Sequence, residues 1–420
     1  MRVLALSTDP GVPLDGTKGA AVHLLELWSA LARAGVEVAG VAPARGAAGI
    51  PPRGPRLSIW PVAGERRDAG VVAAGVEAAA IAAGEAERPD AVLERLSRAS
   101  DLGARLARRF DVPLAVEVNA PLDDEAARFR GQPPSEEASR AQARLLAAAD
   151  LVICVSEELV PYVVARGARP ERVLVLPNGV DVEAFARREY DSAADPAVES
   201  AAARPATPVR FGFAGSFKPW HGCDVILEAA ARAAAHEPSI TFDLLGEGPL
   251  LAPLVGRAWA LGLGSRVRFL GAWPHARVPA FLRSLDVAIA AAPAGIDYYF
   301  SPLKLCEYAA AGCAIIAPHA GQVARRFRHG VDAWLVAPGA PAELAEAMVM
   351  LACDPALRRR LGEAAAARAR AEFDWSHVAR RLIEGLEAAR QRRSAATAVA
   401  HTPGGATGGS RTGPGERSAP

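Results

Sequence analysis

The sequence predicts an α/β protein of two domains, each a parallel β-sheet covered by helices. Two observations carry this prediction: short apolar runs alternate with amphipathic stretches, and a polar segment without periodicity interrupts the alternation near mid-chain. The composition agrees, because 420 residues that are 51% hydrophobic can bury more than one core. The formal net charge of +1 gives no electrostatic reason to expect nucleic acid as a partner.

Six apolar runs predict the strands of the first domain. They lie at residues 3–7, 36–42, 91–96, 114–118, 151–156 and 173–176. A helix is predicted at 20–34, where Leu24, Leu27 and Leu31 recur on one helical face. Gly35 supplies its stop.

The segment 186–208 is rich in small, charged and proline residues without a clear period, so it is predicted to be an interdomain linker or insertion. A second strand–helix series comes after it. Its predicted strands lie at 209–214, 241–245, 267–270, 287–291 and 313–317, and its predicted helices at 224–236, 275–285, 302–311, 341–352, 356–371 and 376–390.

These elements divide the chain into a first domain at 1–185 and a second at 209–375. A last helix at 376–390 could pack back on the first domain, and the tail at 391–420 is predicted to be disordered from its low complexity. No internal repeat is found. The architecture expected is two Rossmann-like domains facing each other across a cleft.

Cysteine usage and the N-terminus indicate a cytoplasmic protein. Five scattered cysteines without a Cys-x-x-Cys pair favour reduced core thiols over a disulfide or zinc framework. The start MRVLALSTDPG lacks the apolar region of a signal peptide, and no uninterrupted apolar run reaches membrane-spanning length. The run Arg325-Arg326-Phe327-Arg328 leaves peripheral contact with the inner membrane face open, although a solvated face is the better interpretation.

The most informative stretch is YYFSPLKLCEYAAAGCAIIAP, at residues 298–318. Ser301 is a good helix N-cap, Pro302 suits the first helical position, and Gly312 ends the helix. Lys304 does not fit this pattern, because the helix N-terminus already carries about half a positive charge. A cation in that turn is unfavourable unless an anion fills the site.

Two more glycine-containing turns come after strands of the same domain. They are GSFKPWHG at 215–222 and Gly-Glu-Gly-Pro at 246–249. Because ligands bind at the carboxyl ends of parallel strands, these turns would join backbone N–H groups with Lys218, His221 and Lys304 in a cradle for a diphosphate. Each turn alone could be a plain tight turn, Lys304 could be solvated and His221 structural, but the combination favours phosphate binding.

Glu307 lies three positions after Lys304, on the same side of the helix. A carboxylate beside a phosphate site repels phosphate, so a neutral partner suits it better. The vicinal diol of a ribose offers two hydrogen-bond donors to a carboxylate. The sequence therefore predicts a site for a nucleoside diphosphate.

At these residues the chain resembles the retaining glycosyltransferases of family 4, which have the GT-B fold, over roughly residues 1–390. FSPLKLCEYAAAG is similar to the donor-binding helix of the family, and the Glu that binds ribose in its E-x7-E signature is Glu307 here. The first acidic position of that signature is Tyr299, and Asp297 is the nearest acid. VSEELVPYVVARG and VLPNGVDVEAF are also family-like and mark the end of the first domain.

The loop GSFKPWHG departs from the common family pattern G-R-x-x-x-x-K-G. Ser216 stands at the Arg position and His221 at the Lys position. We expect His221, Lys218 and Lys304 to share the neutralisation of the leaving diphosphate. If His221 must be protonated, its ordinary pKa of about 6.5 implies that turnover falls as pH rises.

The first domain contributes further candidates. The stretch 16–19, with Lys18 and Gly19, resembles the glycine loop that closes over phosphate and acceptor, although a plain surface turn has equal standing. Asn119 stands near the point where many relatives have a His beside the donor sugar. The acceptor-side candidates, chosen by location, are Glu94, Arg95, Ser97 and Glu117. The predicted donor-binding set is Gly215, Ser216, Gly246, Gly248, Ser301, Pro302, Leu303, Glu307, Asp297, Gly19 and Lys18, and the predicted catalytic set is His221, Lys218, Lys304 and Asn119.

The resemblance implies transfer of a hexose-like sugar from a UDP- or GDP-linked donor, with retention of anomeric configuration. The acceptor would be a hydroxyl of a small molecule, a lipid or a glycan. Cations and helix N-termini would stabilise the departing diphosphate. No Asp-x-Asp motif is present, which predicts departure without a metal, and no cofactor is expected. The oligomeric state is not indicated.

Three other functions stay open at this point. A sugar-nucleotide epimerase of the same fold would consume the donor without an acceptor. A nicotinamide oxidoreductase is weaker, because the first strand leads into TDPGVPLDG and not into G-x-G-x-x-G. A non-catalytic partner that binds nucleotide or nothing is compatible with the changed Arg, Lys and first acidic positions.

Overall fold

The structure, a computed structural model, describes residues 1–16, 18–46, 54–64, 69–133, 135–186 and 208–400. Nearly all of the predicted linker at 186–208 lies outside these residues, as does the chain after residue 400. The described part contains two parallel sheets flanked by helices, which confirms the predicted architecture of two Rossmann-like domains.

The first domain is a seven-stranded parallel sheet with the order β3-β2-β1-β4-β5-β6-β7. Its strands are β1 (Arg2–Ser7), β2 (Glu37–Ala44), β3 (Leu57–Ala63), β4 (Ala91–Arg95), β5 (Leu114–Val118), β6 (Leu151–Cys154) and β7 (Val173–Val175). Its helices are α1 (Gly19–Arg33), α2 (Ala69–Ala86), α3 (Leu102–Phe110), α4 (Leu122–Arg130), α5 (Glu136–Ala148), α6 (Val160–Val164) and α7 (Val182–Ala186). The strand β3 was not predicted. It contains Pro61, which an edge strand tolerates.

The second domain is a six-stranded parallel sheet with the order β10-β9-β8-β11-β12-β13. Its strands are β8 (Arg210–Ala214), β9 (Thr241–Leu245), β10 (Val267–Phe269), β11 (Val287–Ile289), β12 (Ala314–Pro318) and β13 (Trp334–Val336). Its helices are α8 (Cys223–His236), α9 (Leu251–Ala260), α10 (Val278–Arg283), α11 (Leu303–Ala310), α12 (Gly321–Arg326), α13 (Pro341–Cys353) and α14 (Pro355–Arg368).

Each sheet has one point at which the strand order reverses. In the first domain it lies between β1 and β4, and in the second between β8 and β11. The loops that leave the two central strands diverge there and open a crevice, which is the usual ligand position in such sheets. The loop after β8 and the loop that leads from β11 into α11 therefore border the predicted donor site.

The chain ends in a long helix that returns to the first domain. After a π-helical turn at Ala369–Phe373, α15 (Trp375–Ala400) packs against α1, and Trp375, Leu382 and Val3 share one core. The predicted tail at 391–420 begins too early, because the helix continues to Ala400, and residues 401–420 lie outside the described residues. Arg393 Nη2 contacts Asp111 Oδ1 of the first domain at 2.7 Å, which helps to hold this extension in place.

Among the described residues, α2 is the helix that is long and apolar enough to cross a membrane, judged by length and composition. No uninterrupted apolar run of that length was found in the sequence, and Glu77 and Glu85 do interrupt this helix. Val72 and Val76 of this helix are fully buried in the core of the first domain.

Candidate functional site

Two of the predicted turns are tied together at the carboxyl edge of the second sheet. The Gly215 amide donates to the carbonyl of Leu245 at 2.9 Å, and the Phe217 amide donates to the carbonyl of Glu247 at 2.8 Å. A Cβ atom added to Gly246, whose φ is +146°, would lie 1.8 Å from the carbonyl oxygen of Gly215. The two loops approach so closely that only glycine fits at this position.

Gly248 makes a similar approach, since a Cβ there would lie 2.5 Å from the carbonyl oxygen of Phe217. The glycines of the second turn therefore let the loop after β9 pack on the loop after β8. The two turns therefore meet as the sequence predicted, through backbone contacts, and their binding of a diphosphate stays a prediction.

Lys304 lies against the first of these loops. A Cβ atom on Gly215 would lie 2.9 Å from Lys304 Nζ, and Nζ stands 4.3 Å from the centre of the Phe213 ring. Within the described residues, no hydrogen bond or ion pair is formed by its ammonium group. Burial lowers the pKa of Lys304 to about 8, although Cys223 and Glu307 act in the opposite direction. The alternative that Lys304 is simply solvated does not fit this environment.

The start of α11 differs from the prediction. The helix begins at Leu303, and Pro302 occupies the N-cap position without a side-chain hydrogen bond. Ser301 does not cap it: its Oγ accepts from the Asn178 amide at 2.9 Å, and its carbonyl accepts from Asn178 Nδ2 at 2.6 Å. The first N–H groups of α11 are thus left without a side-chain cap, which suits an anion-binding end.

His221 is not the cation that the sequence suggested. Its Nδ1–H donates to the carbonyl of Ser216. Burial, together with the nearby Lys304 and Lys218, lowers the pKa of His221 to about 3. The imidazole is therefore neutral near pH 7, and the expected fall in turnover through pH 6.5 loses its basis. In this tautomer Nε2 accepts a hydrogen bond, as from a sugar hydroxyl.

The glycine loop of the first domain meets the start of α11. A Cβ atom on Gly19 would lie 3.6 Å from Leu303 Cδ1, which brings Lys18 and its loop to the cleft. Thr17, in the same predicted stretch, lies outside the described residues.

The chain contains only three lysines among its 48 basic residues, at positions 18, 218 and 304. All three belong to stretches that the sequence assigns to the donor site. Everywhere else the chain uses arginine, and a compact ammonium group such as that of lysine suits a phosphate. This signal was available in the sequence, and the prediction did not use it.

Glu307 is nearly buried, with 11% of its side chain exposed. Its Oε1 accepts a hydrogen bond from His275 Nε2 at 2.8 Å. His275 was not among the predicted site residues, because it lies 32 positions away on another loop. Nothing in the local sequence links the two residues.

Tyr299, at the first acidic position of the family signature, joins the two domains. Its hydroxyl donates to Glu125 Oε1 at 2.6 Å, and its carbonyl accepts from Ser156 Oγ at 2.7 Å. Asp297 is exposed on the preceding loop. Its described contacts include none of the other predicted donor-site residues.

A buried charged cluster lies at the strand ends of the first domain. Glu117 accepts from His23 Nε2 at 2.5 Å and lies 3.8 Å from Arg95 Nη1. Burial alone would raise the pKa of Glu117, but His23 and Arg95 hold it below its ordinary value. Burial also lowers the pKa of Arg95. Asn119 stands two residues beyond Glu117, and within the described structure its buried Oδ1 has no hydrogen-bond partner.

Glu94 has a structural role that contradicts its assignment to the acceptor side. Its fully buried carboxylate accepts from Ser100 Oγ at 2.7 Å and from the Gly103 amide at 2.6 Å, at the start of α3. Burial raises the pKa of Glu94 to about 7. Ser97, another acceptor-side candidate, is hydrogen-bonded to the hydroxyl of Thr8 at 2.5 Å.

Two family models match the chain, one in each domain. The model described as Glycosyltransferase Family 4 matches residues 17–184, and the model described as Glycosyl transferases group 1 matches residues 208–354. Together they span most of both sheets. The resemblance seen in the sequence is therefore confirmed at the level of the family.

Curated relatives and solved structures agree with these matches. A D-inositol 3-phosphate glycosyltransferase of Nocardia farcinica is 31% identical over 61% of this chain and 56% of its own length. A protein of the same name from Geodermatophilus obscurus is 29% identical over 70% of the chain and 65% of its own length. The chain thus spans somewhat more than half the length of these relatives.

Two solved structures share the fold. A sucrose-phosphate synthase of Thermosynechococcus elongatus superposes with a TM-score of 0.74 at 19% identity, over 94% of this chain and 100% of the other. The Anabaena protein HepE, solved in complex with UDP, gives a TM-score of 0.70 at 21% identity, over 92% of this chain and 100% of the other. The likeness extends across both domains.

Proposed function

The chain belongs to the glycosyltransferases of family 4, and on this premise we propose that it transfers a sugar from a nucleoside-diphosphate sugar to an acceptor hydroxyl. One observation carries the proposal: Lys304 lies against the backbone of Gly215 at an uncapped helix N-terminus, with no acid bonded to it in the described structure. A cation beside the positive end of a helix is unfavourable until an anion arrives. The diphosphate of a donor is that anion, and Glu307 takes the adjoining ribose.

The chemistry is the stabilisation of negative charge on the departing diphosphate. Lys304, Lys218 and the first N–H groups of α11 supply positive charge and donors where that charge develops. His221, neutral and bonded through Nδ1, offers Nε2 to a hydroxyl of the donor sugar. Retention of configuration and departure without a metal ion belong to this proposal. The family supports the first, and the supply of cations by the chain itself supports the second.

We take UDP as the first nucleotide to test, because HepE, a neighbour in fold, was solved with UDP. The curated relatives carry the name D-inositol 3-phosphate glycosyltransferase, which supports a polyhydroxylated acceptor for this chain. Glu117 and Arg95 lie at the strand ends of the first domain, on the side where an acceptor would approach.

The experiment is a donor panel with the full chain. UDP- and GDP-linked hexoses are incubated alone and with inositol, inositol 3-phosphate and simple sugars, and released nucleoside diphosphate is measured. Acceptor-dependent release is the expected result, and NMR of the product reports the anomeric configuration. Consumption of donor without acceptor would indicate an epimerase instead, and nucleotide binding without turnover would indicate a non-catalytic partner.

The small number of lysines gives a second test of the site itself. Limited acetylation with and without UDP is followed by peptide mass spectrometry, which reports on residues 18, 218 and 304 separately. We expect UDP to protect Lys304 most, since its ammonium group lies against Gly215. If UDP left the labelling of each of the three lysines unchanged, the assignment would be contradicted, even if the protein proved active.

A further inference from the structure

A histidine on a separate loop holds the Glu307 carboxylate. His275 Nε2 lies 2.8 Å from Glu307 Oε1. An ionised carboxylate has acceptors only, so the imidazole donates from Nε2–H. We propose that His275 is a positioning residue for ribose recognition, which fixes Glu307 so that the chain distinguishes a ribonucleotide from its 2′-deoxy form. This inference rests on the proposed function and adds the residue that sets its sugar selectivity.

The loop that carries His275 is fixed at both ends. At its start the Gly246 amide donates to the carbonyl of Gly271 at 2.8 Å, which attaches the loop to the glycine turn of the donor site. At its end it continues into α10, and its Trp273 ring packs edge-on against Phe281 of that helix, with the ring centroids 5.9 Å apart. The imidazole is therefore presented by backbone whose position depends on the donor site itself.

The imidazole ring is also packed against an aromatic side chain of the same core. Its centroid lies 5.9 Å from that of Phe185, on α7, and the planes are inclined by 58°. Phe185 is fully buried, and its carbonyl accepts from Arg283 Nη1 at 3.0 Å. A ring contact on one side and a carboxylate on the other leave the imidazole little rotational freedom.

The charge around Glu307 explains why such support is useful. Its carboxylate forms a single hydrogen bond among the described residues, so three of about four lone-pair positions stay available. A glutamate side chain loses rotamer freedom when it is fixed on a ligand. His275 fixes it beforehand, and the free positions can then meet both hydroxyls of a ribose at once.

A purely structural role for the pair makes a different prediction. If His275 only fastened its loop to α11, its removal would weaken binding of ribonucleotide and deoxyribonucleotide alike. If His275 positions Glu307 for the diol, its removal should weaken binding of the ribonucleotide most. The deoxy form lacks one of the two hydroxyls that would donate hydrogen bonds to the fixed carboxylate. The ratio of the two affinities is therefore the decisive measurement.

The experiment is calorimetric titration of the full chain with UDP and 2′-deoxy-UDP. The variants are His275→Phe, which keeps a ring against Phe185 but has no donor, and His275→Gln, which restores an N–H donor. His236→Phe, at an exposed histidine of the same domain, is the matched control. Melting temperatures verify that each variant is folded.

We expect the wild-type chain to prefer UDP over 2′-deoxy-UDP by about tenfold, and His275→Phe to weaken UDP binding by about five- to tenfold. Binding of 2′-deoxy-UDP should change by less than about twofold, and His275→Gln should recover part of the preference. Equal weakening of both nucleotides, or no change in either, would overturn the inference and leave the proposed function standing. A wild-type chain that bound neither UDP nor GDP would overturn both.

Discussion

The strand ends of the two sheets handle charge in opposite ways. In the second domain Lys304 lies against backbone and an aromatic ring, without a bonded acid in the described structure. In the first domain the Glu117 carboxylate is hydrogen-bonded to His23 and lies beside the Arg95 guanidinium, which neutralises it. A cation without a bonded acid favours the binding of an anion, whereas a cluster whose charges are already neutralised does not. The comparison shows that the second domain leaves a cation available for an anionic ligand, whereas the charges at the strand ends of the first domain are already paired.

The substitution with the largest expected effect on this contrast removes the ammonium group of Lys304. Lys304→Met should lower kcat/KM by about 100-fold or more, because the leaving diphosphate loses a charge-stabilising partner. The same change should raise the melting temperature. The pKa of Lys304 is lowered from 10.5 to about 8, so near pH 7 its charged form is unfavourable in the folded state, by about 1–2 kcal/mol after allowance for partial exposure.

Steady-state kinetics and thermal unfolding measure the two effects. Arg257→Met, at an exposed position of α9, is the control and should change neither. A Lys304→Met variant with full activity would remove the central contrast between the two domains.

The second test removes the neutralising acid of the first domain. Glu117→Gln should destabilise the fold by about 2 kcal/mol, because it leaves Arg95 buried without its ion pair. UDP affinity should stay within about twofold of the wild type, since the diphosphate lies on the other sheet. Urea unfolding and calorimetry measure these quantities, with the exposed Glu136→Gln as control. A fall in UDP affinity as large as that of Lys304→Met would show that the two charge systems are not separate.

The third test is the pH dependence of nucleotide binding. UDP affinity should be level near pH 7 and fall by up to about tenfold per unit above pH 8, as free Lys304 loses its proton. Lys304→Arg should keep its affinity level to higher pH, because a guanidinium does not titrate in this range. A fall in wild-type turnover centred near pH 6.5 would instead support the original hypothesis that His221 acts in its protonated form.

The smallest effect concerns Glu94, whose pKa is raised from 4.5 to about 7. A carboxyl group with a raised pKa favours the protonated folded state, so stability should fall as pH rises from about 4.5 to 7 and stay low above that. Glu94→Gln should remove this slope and be more stable than the wild type by about 1–2 kcal/mol at pH 8. Unfolding at pH 5 and pH 8 tests it. A slope that survived the substitution would assign the effect to another group.

The features that depend on chain topology were the ones best predicted from the sequence. The turns after β8 and β9 and the start of α11 were expected to meet because the carboxyl ends of parallel strands share one edge, and Gly215, Gly246 and Lys304 do meet there. Such a prediction needs only the order of apolar runs and the position of the glycines. It does not require the distance between any two side chains.

The sequence could not predict pairs that depend on how the two domains pack. Asn178 and Ser301 are 123 positions apart, and Tyr299 and Glu125 are 174 apart. No local pattern links such residues. The N-cap propensity of serine also gave a wrong prediction at the start of α11. The Ser301 hydroxyl accepts a hydrogen bond from the Asn178 backbone amide and does not cap the helix. The helix α9 was missed because Pro253 stands in its first turn, where a helix tolerates proline.

The return of α15 to the first domain has a consequence for biosynthesis. A ribosome releases residues in order, so the strands of the first sheet emerge long before Trp375 and Leu382, which complete their core beside Val3. Until the last helix is released, that core lacks one wall and exposes apolar surface to water. The nascent first domain therefore cannot reach its final stability while the second is being made, and a truncation that removed α15 would damage the half of the molecule that was translated first.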